Sequence, residues 1–159
     1  MSNLSEMYEK WGRDVIGRIL TDVNGLIYVL ETPDFDHPQH LQFSFSDNSG
    51  DIGFRCGKDG STLEITKLPM QESDLGEYGK EVIMNMSASL LFHRYIGMVV
   101  SKVFLIYSNI EKATIGIKLV FDDRLSLIVI NLGDEINIFE YLPLQFEKDE
   151  MINYFDMPH

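Results

Sequence analysis

Asp34, Asp36, His37 and His40 fall within seven residues of one another, in the stretch TPDFDHPQH at 32–40. Carboxylates and imidazoles are the ligands that zinc and other divalent cations take from proteins. Pro38 stands between the two histidines and forbids the helical i, i+4 pairing that a zincin uses. The stretch reads as a surface loop held by Pro33 and Pro38, with no resident metal or cofactor expected. A second set of groups, Asp47, Asp51, Asp122, Asp123, Asp134 and Glu135, lies where hairpin turns are expected. If those turns gather at one end of a sheet, their carboxylates pair for acid–base work or for magnesium. Asp also suits a hairpin turn for purely local reasons, and that is the simpler account.

The remaining reactive side chains point to structure. His93 is expected near a helix end beside Arg94, where an imidazole interacts with the last carbonyls. Cys56 alternates with Ile52 and Phe54 and reads as a small buried hydrophobe. As the single cysteine it allows no intrachain disulfide, which favours a reducing compartment. The chain has no G-x-S-x-G, P-loop, G-x-G-x-x-G or C-x-x-C sequence.

The elements that would position these groups are legible from periodicity. Asn3 and Glu6 have capping-box spacing, and Leu4, Tyr8, Trp11 and Val15 form one helical stripe that Gly17 ends. Residues 19–30 are rich in β-branched and large apolar side chains, with Asn24-Gly25 as a bulge or tight turn. Leu41, Phe43 and Phe45 alternate with Gln42, Ser44 and Ser46, which predicts a half-buried strand. Ile52, Phe54 and Cys56, then Leu63 and Ile65, continue an antiparallel meander through short turns. Residues 80–96 are expected to be a second helix with Val82, Ile83, Met86, Leu90 and Leu91 as its apolar stripe. A second meander follows: 98–107, then Ile115, Ile117, Leu119 and Phe121 on one strand face, then 125–132, then 136–141. The run 125–132 is apolar on both faces and belongs inside a sheet. Met151, Ile152 and Phe155 in the tail fit one turn of amphipathic helix.

Residues 11–27 and 91–107 align without a gap at an offset of 80, with Ile16/Ile96, Gly17/Gly97 and Val23/Val103 identical. The expected fold is α+β, one domain over residues 1–159. Two tandem repeats, 3–69 and 80–143, each supply a main helix and an antiparallel meander. A linker at 70–79 joins them and a tail at 144–159 follows. The two sheets either merge into one large sheet or pack face to face.

The chain of 159 residues carries 25 acidic and 13 basic side chains, a formal net charge of -12. That balance repels nucleic acid and anionic membrane and favours a basic partner, while also serving solubility. The first residues lack a basic start followed by an apolar core, so no signal peptide is expected, and no stretch approaches the ~20 apolar residues of a spanning helix. A cytoplasmic protein is expected. In length, charge and turns such as Phe121-Asp122-Asp123-Arg124 and Leu132-Gly133-Asp134-Glu135, the chain resembles the small acidic immunity proteins of bacterial polymorphic-toxin and contact-dependent inhibition systems. That resemblance implies a non-enzymatic inhibitor that binds a basic, nuclease-type toxin domain. The acids expected to meet such a partner are Asp47, Asp51, Asp122, Asp123, Asp134, Glu135, Glu147, Asp149 and Glu150. The alternatives are a small metal-dependent enzyme using the 34–40 loop or the turn carboxylates, and a domain that self-associates through strand edges into a homodimer.

Overall fold

A computed structural model describes residues 3–47 and 52–157. Asp51 and residues 48–50, where the sequence predicts a turn, lie outside the described residues, as do the side chains of Asn3 and Leu4. The fold is α+β with two antiparallel sheets. Helix α1 (Asn3–Val15) leads into β1 (Leu20–Leu30), β2 (Thr32–Pro33), β3 (His40–Phe45), β4 (Ile52–Cys56), β5 (Leu63–Thr66), β6 (Ser73–Asp74) and β7 (Lys80–Asn85). These strands form one sheet in the order β5-β4-β3-β1-β7-β6, with β2 folded back on the end of β1. The second sheet has the order β11-β10-β9-β8-β12, from β8 (Val100–Ser108), β9 (Ala113–Phe121), β10 (Leu125–Asn131), β11 (Ile136–Phe139) and β12 (Ile152–Asp156). A short helix α2 (Leu144–Asp149) precedes β12.

The two sheets share one core. Phe43, Phe54, Leu63 and Ile65 of the first pack with Val103, Ile117, Leu119, Leu127 and Val129 of the second. Helix α1 closes the gap between β5 and β8: Trp11 meets Phe45 and Phe54 edge-on, and the buried Tyr8 hydroxyl donates to the Leu63 carbonyl. The segment between β7 and β8 also enters this core, with Phe92 against Phe43 and Tyr95 against Phe121. The Tyr95 hydroxyl is satisfied by the Ser126 carbonyl at 2.6 Å. Strand β10 is apolar on both faces because Ile128 and Ile130 point away from that core into a second one, which Phe139, Phe146 and Ile152 help to cover. Among the described residues, no helix is long and apolar enough to cross a membrane.

The sheets are joined where β1 and β8 begin. The Gly17 N–H donates to the Val100 carbonyl and the Gly97 N–H to the Leu20 carbonyl, both at 2.8 Å. The Leu20 N–H donates to the Met98 carbonyl at 3.0 Å and the Val100 N–H to the Arg18 carbonyl at 2.9 Å. Ile19 and Val99 form a lone antiparallel bridge between them. Exchanging each residue for its counterpart 80 positions away turns the Gly17–Val100 bond into the Gly97–Leu20 bond, and both glycines have φ of +87°. Just beyond the junction each strand carries a bulge, between Leu20 and Asp22 in β1 and between Val100 and Lys102 in β8.

Several sequence expectations are corrected here. Residues 80–96 do not form a second helix. Residues 80–85 form β7, paired with β1, so the boundary expected at residue 80 cuts through the first sheet. Val82, Met84 and Met86 are spaced by two and lie along one face, while Leu90, counted in the expected stripe, is 90% exposed. The remainder is irregular, with a single 3-10 turn at His93–Tyr95. Within 70–79 the chain forms β6 and a 3-10 turn at Gly76–Tyr78. Asn24-Gly25 is neither turn nor bulge; it lies inside β1, where a Cβ on Gly25 would meet the Met86 sulfur at 2.5 Å. Ile115 leaves the face of Ile117, Leu119 and Phe121 for the second core, because the β8–β9 register shifts between Ile106 and Tyr107. The tail makes α2 and then β12, where strand pairing with β8 takes Ile152 and Phe155.

Gly17 and Gly97 have nothing within 4 Å of a built Cβ, so their cost on substitution is conformational alone. Gly17→Ala and Gly97→Ala should each lower stability by about 1 kcal/mol, because a side chain disfavours positive φ. Urea denaturation of both variants checks this, and unchanged midpoints would contradict the role given to the junction.

Candidate functional site

The two histidines of the 32–40 loop part company. His37 stays at the rim, where Nδ1 is 3.3 Å from Asp34 Oδ1 and Nε2 is 3.3 Å from Glu135 Oε1 of the β10–β11 turn. His40 opens β3 and is only 6% exposed. Its Nε2 occupies the place of the Cβ that Gly53 lacks, 2.3 Å from where that atom would be. Asp36 is exposed. Among the described residues, no group of three or more His, Cys, Asp or Glu side chains is placed to hold a metal ion.

His40 lines a cleft of about 520 Å³ on the outer side of the first sheet. The chain must cross from β5 at one edge to β6 at the other, and residues 67–72 make that crossing. Leu68, Pro69 and Gln71 from this segment join Leu26, Arg55, Cys56 and Glu81 of the sheet, and Asp134, Glu135 and Ile136 arrive from the second sheet. The crossing is tied down at both ends: the Leu68 N–H donates to Thr66 Oγ1 at 3.0 Å and the Ile83 N–H donates to the Glu72 carboxylate at 2.8 Å. Arg55 gives both Nε and Nη2 to Glu64 Oε1, at 2.9 and 2.7 Å, so its charge is already matched. Burial pushes the Cys56 thiol up to about 11, with Asp134 and Glu135 adding to the effect. The thiol stays protonated at neutral pH and is a poor nucleophile.

A second, wider cleft of about 800 Å³ shares Glu81 with the first. Among the described residues, Glu31, Glu72, Asp74, Glu77 and Glu81 line it, against the single cation Lys80. Gly79 (φ +97°) lets the chain pass the end of β1, since a Cβ there would meet the Val29 carbonyl oxygen at 2.4 Å. Tyr28 fixes the same turn by donating its hydroxyl to the Tyr78 carbonyl. The two clefts form one continuous acidic rim.

The turn acids named from sequence do not converge at one end. Asp122 and Asp123 precede β10, and Asp134 and Glu135 follow it. Asp47 belongs with the first pair, because its neighbour Ser46 donates to the Ile19 carbonyl as Asp122 donates to that of Val99. Asp47, Asp122, Asp123 and Asp134 all have positive φ, the local turn chemistry that favours Asp there. Three acids lie in or beside α2: Glu147 accepts the Tyr154 hydroxyl, Asp149 the Gln145 amide at 2.7 Å, and Glu150 the Ser108 hydroxyl at 2.8 Å. Asp51 lies outside the described residues. His93 is in a 3-10 turn, with Nδ1 at 3.1 Å from the Ser89 carbonyl. Of the acids named from sequence that lie among the described residues, the rim takes Asp134 and Glu135. It adds Glu31, Glu72, Asp74, Glu77 and Glu81, and the signal for most of these is the acid density of ESDLGEYGKE at 72–81.

No protein-family model, curated protein or solved structure matches this chain.

Burial holds the pKa of His40 below its ordinary value; Arg55 acts in the same direction and Glu64 opposes. The unfolded chain therefore takes up this proton first, near pH ~6.5. Stability is full above that value and falls as pH drops toward the folded-state pKa. His40→Gln removes this contribution, so its urea midpoint should change less between about pH 7 and about pH 5 than that of the parent. Identical pH dependence of the two proteins would contradict the assignment.

Proposed function

We propose that this chain is a non-enzymatic, protein-binding domain that holds a basic partner, in the manner of an immunity protein neutralising a basic toxin domain. The observation that carries the reading is the rim: seven carboxylates line two clefts that share Glu81, opposed by Lys80 and an Arg55 already paired with Glu64. Charges of one sign lining a cleft focus the field and speed encounter with a partner of opposite sign. A basic nuclease surface, built to hold phosphates, would meet carboxylates at the spacing of a folded rim. Residence in the cytoplasm belongs to the same reading, supported by the single protonated Cys56.

This reading moves the expected contact surface. Asp134 and Glu135 remain in it, whereas Asp47, Asp122 and Asp123 belong to the other end of β10. The metal-enzyme alternative draws no support from the 34–40 loop, whose histidines are separated by the rim and the sheet. Self-association is favoured by one feature: β12 ends the second sheet with Tyr154 and Phe155 exposed. We further infer that the two sheets descend from one duplicated unit, a reading supported by the offset of 80 shared by the sequence match and the junction bonds.

The partner reading is tested with the product of the neighbouring gene as the purified ligand. Glu72→Lys with Glu77→Lys should weaken the complex at least about tenfold at low salt, and less as salt rises. Asp122→Lys with Asp123→Lys should change affinity little. Equal effects from the two pairs, or none from either, would overturn the assignment of the surface.

A further inference from the structure

We infer that the cleft at His40 is a binding site for a single cationic group, an ammonium or guanidinium carried on a short aliphatic chain. His40 is more than nine-tenths buried and lines this cleft. Among the described residues its ring makes no hydrogen bond. Its nitrogens are not among the fully enclosed unpartnered atoms, so they meet the open cleft, and Gly53, which lacks a Cβ, leaves room for Nε2 against the sheet. A neutral imidazole offers one acceptor nitrogen.

The other polar groups facing the cleft select charge. Glu81, Asp134 and Glu135 bring three carboxylates. Glu81 spends one contact on the Ser73 hydroxyl at 2.7 Å and Glu135 one on His37, and a carboxylate has about four acceptor positions. Among the described residues the one cation on the wall, Arg55, is matched by Glu64. An anion therefore meets net repulsion. A donor-rich cation meets acceptors, with Leu26, Pro38 and Ile136 available to its methylene groups. The volume of about 520 Å³ falls in the range of small-ligand sites.

The inference uses the same acidic end as the partner reading, but its test needs no partner, so either can fail alone. Agmatine and Nα-acetyl-arginine amide are titrated separately into the isotope-labelled chain and followed by amide NMR. Saturable shifts are expected at His40, Gly53, Glu81 and Glu135, and sodium acetate should produce none. Glu81→Gln with Asp134→Asn, both changes at the surface of the cleft, should weaken binding at least about fivefold, and Asp122→Asn with Asp123→Asn should leave it unchanged. Binding of agmatine alone identifies a free small molecule as the source of the cation. Binding of the capped arginine identifies a protein side chain. Non-saturating shifts, or the same weak response in every variant, would overturn the site.

Discussion

The structure depends on the reciprocal backbone hydrogen bonds between residues 17–20 and 97–100. They tie the first strand of one sheet to the first strand of the other with main-chain groups, which no side-chain change removes. Two glycines at φ +87° make the approach possible. Everything near the junction is over-determined: Arg18 reaches the carbonyls of Asp14, Ser46 and Asp47, and Ser101 Oγ accepts the Asp123 N–H. At the other end of β10 the sheets meet through side chains, where Asn131 Nδ2 donates to the Thr62 carbonyl at 3.0 Å and His37 touches Glu135. The clefts lie at this loosely joined end.

The first sheet's topology then builds the rim. Because β5 and β6 lie at opposite edges, the chain between them has to pass over the outer face. It passes over His40, and Gly53 is the residue that gives that imidazole its place. The same crossing delivers Glu72 to cap the edge of β7 and leads into the acid-rich turn beside β1. Gathering carboxylates in this way opposes folding through self-repulsion, although exposure and salt limit the cost. Under the proposed function, a partner of opposite charge accounts for a surface kept at that cost.

Much of the fold was legible in the sequence because its strands obey simple periods. Leu41, Phe43 and Phe45 announced β3, and the two-faced run at 125–132 announced an interior strand. The 80–96 helix failed for a physical reason: Val82 and Met86 fit a helical stripe with Ile83 as well as an alternating one with Met84, and only the free edge of β1 decided between them. Ile115 and the tail failed because a register shift and a strand partner are tertiary facts. The site was less legible than the fold. Asp134 and Glu135 were visible as turn residues, but the acids at 72–77 read as a polar linker, and Glu81 as part of a helix, until the crossing placed them beside β1. His40 was counted with His37, and nothing in the spacing said that one would face solvent and the other the sheet.

The central claim is that the acidic end, and not the junction end, is the working surface. Amide NMR of the labelled chain titrated with the proposed basic partner tests it directly. The account predicts that perturbed amides cluster at Glu72–Glu81 and Gly133–Ile136, with the amides of Asp47, Asp122 and Asp123 unmoved. Perturbation centred on the junction end, with the rim silent, would contradict it.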